Sequence, residues 1–333
     1  MTCLPPTKGH ADIVKFAESL GNTHVRVLLC TQPDEPMTSE RRGAVMDLTV
    51  SSYYTQILYY DSPIQQVPKD DKDTAFWQTW RRILQNKGFR EGDTIVASDS
   101  YGKKLAEVMN AHFMPYDPDR SMRPGCATDV RKDPLKNFSY ILPSFQGFLR
   151  KRITIFGAES CGKTTLANAL ATALDGIAIP EYARPYLEMV GSDITVAKMK
   201  SIHRGQKVLQ KQATDLALDK PFIFQDTDLF STLGYWHLWN DGPEDLSLMS
   251  DARSSKSDLY IVCPSNIPFE QDPLRYGGKV RESTDDYWIN LCKNFDLNYK
   301  VLTTKSKKGR LEEATKLAVD LFNPSQLAYE RVK

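Results

Sequence analysis

The sequence lacks the long apolar runs, paired cysteines and charge imbalance that mark several classes of protein. No apolar stretch in its 333 residues approaches the ~20 residues of a membrane-spanning helix, and the first residues show no signal-peptide pattern. Its six cysteines form no C-x-x-C pair, which argues against a zinc site and a disulfide framework. Lys and Arg number 43 against 42 Asp and Glu, so a net charge of +1 favours neither nucleic acid nor a membrane surface as a partner. We expect a cytoplasmic protein that binds small molecules. The sequence does not decide its oligomeric state, and a homo-oligomer is one possibility.

The stretch from Lys151 to Leu170 carries the clearest positive signal. A short β-branched and aromatic run leads directly into the sequence GAESCGKT, and a helical pattern follows. This is the context of a P-loop, in which backbone N–H groups surround a phosphate, a lysine adds charge and a hydroxyl binds Mg²⁺. The residues so assigned to ATP are Gly157, Ser160, Gly162, Lys163, Thr164 and Thr165, with Thr164 as a Mg²⁺ ligand. The alternative is a glycine-rich turn that binds no ligand.

Two later segments complete the pattern of a nucleotide-dependent phosphotransferase. Three apolar residues lead into Asp226, the Walker B arrangement in which a buried strand delivers a carboxylate to Mg²⁺ beside the P-loop. Arg275 and Arg281 lie in a glycine-containing loop, where arginines can close over a triphosphate. A solvated basic loop is the alternative for these arginines.

The first part of the chain has its own candidate site. Thr7, Gly9 and His10 precede a helical pattern, so the imidazole can meet a nucleotide phosphate at the helix N-terminus; an incidental histidine is the alternative. Trp77 and Trp80 lie on one face of a predicted helix, where they either belong to the core or stack on a flat ligand.

Alternating strand and helix patterns predict an α/β fold with two parallel-sheet domains. The segment 136–150 contains Pro143 and Gly147 and is typical of a connector. We therefore place the domain boundary near Phe148, with domains over residues 1–147 and 148–333.

Seven motifs, in order along the chain, resemble the bifunctional NMN adenylyltransferase and ribosylnicotinamide kinase proteins of the NadR type. The resemblance spans nearly the whole chain. It implies an N-terminal nucleotidyltransferase-like Rossmann domain and a C-terminal P-loop kinase domain. The motifs are Thr7-x-Gly9-His10, Trp77-x-x-Trp80, Gly125 to Arg131, the P-loop, Glu181-Tyr182-x-Arg184, Asp226-Thr227-Asp228 and Asp272-x-x-Arg275.

For the first domain, the resemblance implies adenylylation of NMN by ATP to give NAD and pyrophosphate. His10 would stabilise the α-phosphate of ATP, and Thr7 and Gly9 would hold its phosphate oxygens. Arg131 would contact the ATP phosphates, and the Trp77 and Trp80 pair would contain the residue that stacks on nicotinamide. Catalysis would be positioning and charge neutralisation, because the attacking phosphate is already an anion.

For the second domain, the resemblance implies that the 5′-hydroxyl of ribosylnicotinamide attacks the γ-phosphate of ATP. Glu181 and Asp226 are the candidates for the base and for contact with the ribose or Mg²⁺. Tyr182, Arg184 and Asp228 would line the nucleoside pocket. Arg275 and Arg281 would belong to a lid.

The sequence departs from the family pattern in three places. Only four residues precede Pro5, so the strand that comes before the Thr-x-Gly-His motif in the family is missing from the pattern. Cys126 stands where the family has a serine, and Gly125 precedes it instead of isoleucine. No helix-turn-helix domain is visible, so we expect no DNA-binding role. Two alternatives therefore remain: a kinase with a pyridine-nucleotide-binding first domain that is not catalytic, and a P-loop NTPase switch, which would hydrolyse nucleotide without an acceptor.

Overall fold

The computed structural model describes residues 1–21, 24–50, 52–70, 72–123, 125–239, 245–267 and 284–322. The chain divides between Gln146 and Gly147 into two units, each with its own core. Arg275 and Arg281, predicted to form a lid, lie outside the described residues. Within the described ranges, none of the helices combines the length and hydrophobicity that crossing a lipid bilayer takes.

The first unit alternates helices with short strands. Its strands are β1 (Val25–Cys30), β2 (Thr55–Tyr60), β3 (Thr94–Ala97) and β4 (His112–Pro115). Its helices are α1 (Lys8–Ser19), α2 (Ser39–Val50), α3 (Thr74–Asn86), α4 (Ser100–Met109), α5 (Ala127–Lys132) and α6 (Pro143–Leu149), of which the last crosses the boundary between the units.

The strands of the first unit form two parallel pairs. β1 pairs with β2 from Val25 opposite Thr55, and β3 pairs with β4 from Thr94 opposite His112. In the described part of this unit, the two pairs form separate sheets, and β1 is not hydrogen-bonded to β3. A cavity of about 1410 Å³ is lined by residues of both strands.

The second unit is built on a longer sheet. Its strands are β5 (Lys151–Phe156), β6 (Ile177–Ile179), β7 (Phe222–Asp226), β8 (Leu259–Val262) and β9 (Tyr299–Val301). Its helices are α7 (Lys163–Ala173), α8 (Ala183–Val190), α9 (Val196–Leu216), α10 (Leu229–Trp239), α11 (Leu246–Ser254), α12 (Asp285–Asn294) and α13 (Lys307–Val319).

All five strands of this sheet are parallel, in the order β6-β7-β5-β8-β9. Ile155 of β5 lies opposite both Asp226 of β7 and Ile261 of β8. Because parallel strands end at the same edge of a sheet, the loops that follow β5, β7 and β8 meet there. Ligands of open α/β sheets bind at this edge.

An aromatic cluster packs against one face of the second sheet. The indole of Trp288 on α12 is fully buried and contacts the rings of Phe156 and Tyr235 at 5.2 and 5.0 Å between centroids. Gly234 allows this approach, because a Cβ at that position would lie 2.6 Å from the Trp288 ring. The cluster therefore fixes α10 and α12 against the end of the strand that precedes the P-loop.

Asp228 belongs to this core, contrary to its predicted contact with a substrate. Its side chain is 1 % exposed and follows β7 at the start of α10. Its Oδ1 accepts a hydrogen bond from the N–H of Ser231 at 2.9 Å, and its Oδ2 accepts one from the Tyr260 hydroxyl at 2.8 Å. The carboxylate thus caps α10 from within the core. Burial raises the pKa of Asp228, although these hydrogen bonds oppose the shift.

The raised pKa of Asp228 predicts how stability depends on pH. The folded protein holds the Asp228 proton at a pH where the unfolded chain, with an Asp pKa of about 3.9, has lost it. The contribution of this group to the free energy of unfolding is therefore largest at low pH and falls as pH rises through the folded pKa. In Asp228→Asn this dependence disappears, so the variant gains about 1.4 kcal/mol per pH unit over the wild type within that window. Urea titrations at a series of pH values measure the difference.

Asp245→Asn is the matched control. Asp245 caps α11, and its pKa is lowered by the hydrogen bond from Lys200 and by Ser247. Its contribution is present above the unfolded pKa and is lost as pH falls, so the control difference has the opposite pH dependence. Parallel pH curves for the wild type and Asp228→Asn would contradict the buried-carboxylate account.

Candidate functional site

The loop between β5 and α7 curls around a central space. Gly157 and Gly162 have φ angles of 130° and 89°, and Ser160 also has a positive φ. A Cβ at Gly157 would lie 2.6 Å from the Cys263 carbonyl oxygen, so only glycine allows the loop to pass the end of β8. Gly162 is the N-cap of α7. The predicted P-loop therefore has the backbone shape that directs N–H groups and a helix N-terminus at an anion.

Lys163 lies in the first turn of α7, inside the loop. Its Nζ donates a hydrogen bond to the Ala158 carbonyl oxygen at 2.7 Å. Burial lowers the pKa of Lys163, but Cys161, Asp226 and Glu181 together raise it above its ordinary value. The ammonium group is therefore charged throughout the neutral range.

Thr164 and Asp226 meet where β5 and β7 end. The Thr164 hydroxyl donates to Asp226 Oδ2 at 2.5 Å, and Asp226 is 3 % exposed. The second carboxylate oxygen, Oδ1, is buried and has no hydrogen-bond partner among the described residues. An orphaned carboxylate oxygen beside a hydroxyl is a hard oxygen donor set of the kind that Mg²⁺ prefers. The two residues predicted to hold Mg²⁺ thus lie together and fit that ion.

Thr227 is a site residue that sequence reasoning missed. Its side chain is 2 % exposed and lines a cavity beside the P-loop, and its buried hydroxyl has no hydrogen-bond partner in the described part of the chain. Its backbone has a φ of 100°, which is costly for a β-branched residue. The motif Asp226-Thr227-Asp228 drew attention to its two acids, but the structure directs the middle residue to the cavity and the last acid to the core.

The cavity at this edge of the sheet has a volume of about 700 Å³, the size of a small-molecule site. Glu181 and Arg184 line it, together with Ser160 and Thr165 of the P-loop segment. Its aromatic wall comes from Tyr235 and Trp239 of α10, which the sequence did not single out.

Tyr182 lies elsewhere than predicted. Its ring packs against α9 at Gly205, where a Cβ would come within 2.0 Å of it. Tyr182 does not line the cavity, whereas its neighbours Glu181 and Ala183 do. The expected contact between Tyr182 and a nucleoside is therefore not supported by its position.

Arg310 of α13 bonds the P-loop backbone and lines the same cavity, and it was also missed. The guanidinium is 5 % exposed and donates to the carbonyl oxygens of Cys161 at 2.6 Å, Pro264 at 2.8 Å and Thr304 at 3.2 Å. It therefore ties the P-loop to the segments that follow β8 and β9. No local pattern marks it, because its partners Cys161 and Pro264 are distant in sequence.

The first unit brings Thr7 and His10 together at the start of α1. The Thr7 N–H donates to His10 Nδ1 at 3.0 Å, and the Thr7 hydroxyl lies 2.9 Å from the same nitrogen. Since Nδ1 accepts a backbone hydrogen bond, the neutral imidazole carries its proton on Nε2, where it can donate to a phosphate oxygen. Gly9 lies between them in the first turn of the helix.

Arg131 and the two tryptophans lie in the same unit. Arg131 donates to the Leu4 carbonyl oxygen at 2.5 Å and to Thr128 Oγ1 at 3.0 Å, which places it beside the segment leading to Thr7. Trp77 and Trp80 are 6 % and 8 % exposed and belong to the core. Both also line the cavity between β1 and β3, so the core and ligand alternatives for the tryptophans both remain.

Comparison with known proteins identifies relatives of this chain. A family model described as an AAA domain matches residues 152–313. The trifunctional NAD biosynthesis/regulator protein NadR of Salmonella typhimurium is 22% identical over 255 residues, covering 74% of this chain and 62% of the relative. The protein of the same name from Escherichia coli K12 is 24% identical over 206 residues, covering 60% of this chain and 50% of the relative. The chain thus spans about half to three-fifths of the length of these curated relatives.

Two crystal structures of NadR share the fold over almost the whole chain. The complex with NR has a TM-score of 0.62 and 18% identity, covering 97% of this chain and 94% of that one. The complex with NAD and AMP-PNP has a TM-score of 0.63 and 18% identity, covering 98% of this chain and 95% of that one. The motif resemblance is therefore confirmed: this chain is a homologue of the NadR proteins and shares their fold.

Proposed function

We propose that the second unit phosphorylates ribosylnicotinamide with ATP, and that the first unit adenylylates the resulting NMN to NAD. The homology to NadR supports a role in NAD biosynthesis and an enzyme of the transferase or kinase type. The two specific reactions are our inference from the sites. The observation that carries the kinase reaction is the group of buried oxygens at the end of β7, Asp226 Oδ1 and Thr227 Oγ1, beside Lys163 and the P-loop.

The kinase reaction uses each of these groups in a distinct way. The N–H groups from Gly157 to Thr164 and the Lys163 ammonium bind the β- and γ-phosphates of ATP. Thr164 and Asp226 would hold Mg²⁺, which would neutralise phosphate charge when bound. The 5′-oxygen of the nucleoside forms a bond to the γ-phosphorus while the bond from that phosphorus to the bridging oxygen of ADP breaks.

Glu181 is the group that we assign to the hydroxyl proton. It lines the cavity, and its charge acts on Lys163, so its carboxylate lies near the phosphate end of the site. Asp226 is less suited to this role, because one of its oxygens already accepts the Thr164 hydroxyl. Glu181 would take the proton of the 5′-hydroxyl as the oxygen attacks.

The rest of the cavity suits a nucleoside with a flat aromatic base. Tyr235 and Trp239 supply aromatic rings, and Ile194, Met199 and Ile202 supply an apolar wall. Arg184 lies at the same cavity and can bind ribose or phosphate oxygens. An apolar wall with a few convergent polar groups is the usual composition of a small-molecule site.

The adenylyl transfer proposed for the first unit depends on Thr7, His10 and Arg131. The Nε2–H of His10 and the N-terminus of α1 can bind the α-phosphate of ATP as the NMN phosphate attacks it. Arg131 adds a positive charge close by. Because β1 and β3 are not bonded to each other in the described residues, the kinase-only reading stays open as the second candidate.

Lys163→Ala tests the kinase assignment. We expect the rate of NMN formation from ribosylnicotinamide to fall by about 10²- to 10³-fold, because a charge that stabilises the transferred phosphoryl group is removed. NAD formation from NMN should be unchanged. The measurement is chromatographic separation of NMN, NAD, ADP and pyrophosphate after incubation with Mg-ATP. Lys211→Ala, an exposed lysine of α9, is the charge-matched control. Loss of both activities in Lys163→Ala would contradict two separate sites.

His10→Ala tests the adenylyltransferase assignment. We expect pyrophosphate and NAD formation from NMN to fall by about 10²-fold or more, since a donor to the α-phosphate is lost, while NMN formation from ribosylnicotinamide continues. The same product assay measures both. His112→Ala, an exposed histidine of β4, controls for loss of an imidazole in this unit. Unchanged NAD formation in His10→Ala would refute the role of His10, and a wild-type chain that makes no NAD would favour the kinase-only reading.

A further inference from the structure

Gln206 of α9 joins the two loops that follow the neighbouring strands β6 and β7. Its side chain is fully buried. The amide oxygen accepts a hydrogen bond from the Tyr182 N–H at 2.9 Å. The amide nitrogen donates to the Thr227 carbonyl oxygen at 3.1 Å and, at 3.5 Å, to that of Pro180. One side chain therefore bonds both the loop after β6 and the loop after β7.

These two loops carry the groups that face the acceptor. The first contains Glu181 between two residues bonded to Gln206, and the second contains Thr227, whose hydroxyl is buried without a partner at the cavity. The neighbouring Gly205 lets the Tyr182 ring pack directly on α9, which adds an apolar contact to the same junction. Helix α9 thus supports both loops from one side.

Thr227 needs such support more than most residues. A φ of 100° is unfavourable for a β-branched residue and persists only where neighbouring groups hold it. Among the described residues, Gln206 donates the hydrogen bond that the Thr227 carbonyl oxygen accepts from outside its own loop. The Gln206 amide therefore connects α9 to the Thr227 peptide and to the two residues that flank Glu181.

We propose that Gln206 is a positioning residue, which sets Glu181 and Thr227 relative to the P-loop so that the acceptor hydroxyl lies in line with the γ-phosphate. This inference rests on the proposed kinase function. Gln206 touches neither substrate nor the P-loop; it acts through the Tyr182 N–H and the Thr227 carbonyl. An amide serves both loops because it has an acceptor and a donor side by side. A leucine of similar size has neither.

Gln206→Leu is the test. We expect kcat for NMN formation to fall by about 10²-fold, because a misplacement of about 1 Å at the reacting groups has an effect of that size. KM for ribosylnicotinamide should rise, whereas KM for ATP should stay within about twofold, since Gln206 makes no contact with the P-loop. Gln206→Glu is the second variant if leucine prevents folding. It keeps the acceptor for the Tyr182 N–H but, when ionised, cannot donate to Thr227 or Pro180.

Gln210→Leu is the matched control. Gln210 lies one turn further along α9, is 4 % exposed and bonds the side chain of Gln225 within β7, not the backbone of either loop. Its loss lowers stability in the same helix, so we expect a lower Tm with kcat and both KM values close to those of the wild type. Equal kinetic parameters for the Gln206→Leu and Gln210→Leu variants would overturn the positioning role and leave Gln206 a structural residue.

Hydrogen exchange gives a readout that does not depend on activity. In Gln206→Leu, we expect faster amide exchange in the segments 180–182 and 226–228 than in the wild type, with unchanged exchange in the P-loop segment 157–165. Gln210→Leu should change neither loop. Unchanged exchange in both loops of Gln206→Leu would refute the proposed tether. A wild-type chain that phosphorylates no nucleoside would refute the proposed function instead, so the two failures are distinguishable.

Discussion

The hydrogen bond between Thr164 and Asp226 depends on the register of the second sheet, and the rest of the site depends on that register too. Asp226, the last residue of β7, lies opposite Ile155, just before the P-loop begins at Gly157. The Walker B carboxylate therefore reaches the first turn of α7. A shift of one residue would turn Asp226 to the other face of the sheet. The large buried cluster around Trp288 and the backbone bonds of Arg310 hold the strands and the P-loop in this relation. Packing around the cavity therefore sets the geometry within it.

Polar groups at this edge fall into two sets with different roles. Asp228 and Arg310 are buried and bonded within the protein, so they hold the loops in place. Asp226 Oδ1 and Thr227 Oγ1 are buried without a partner among the described residues, at the cost that an unsatisfied polar atom carries. Such a cost is typical of atoms kept for a ligand. This difference separates Asp228, whose two oxygens are bonded within the core, from Asp226, whose Oδ1 is left for a ligand in the proposed function.

Local sequence patterns predicted most of the fold of the second unit and its phosphate site. The strand before the P-loop, the helix after it and the Walker B strand follow from hydrophobic period and from glycine positions that only a tight loop requires. Helix α10 was missed, because its residues are apolar around the whole circumference and show no amphipathic period. The roles of Gln206 and Arg310 could not be predicted, since they bond backbone atoms distant in sequence. The predicted nucleoside contacts of Asp228 and Tyr182 do not match their positions, because a sequence motif does not specify the direction in which each of its side chains points.

The central claim is that the cavity beside the P-loop transfers the γ-phosphate of ATP to a nucleoside hydroxyl. The measurement that tests it most directly is ADP release from Mg-ATP by the wild-type chain, with and without ribosylnicotinamide, alongside the amount of NMN formed. The account predicts negligible ADP without the nucleoside and, with it, ADP and NMN in equal amounts. Release of ADP and inorganic phosphate at the same rate without any acceptor would contradict the account and identify a nucleotide-hydrolysing switch.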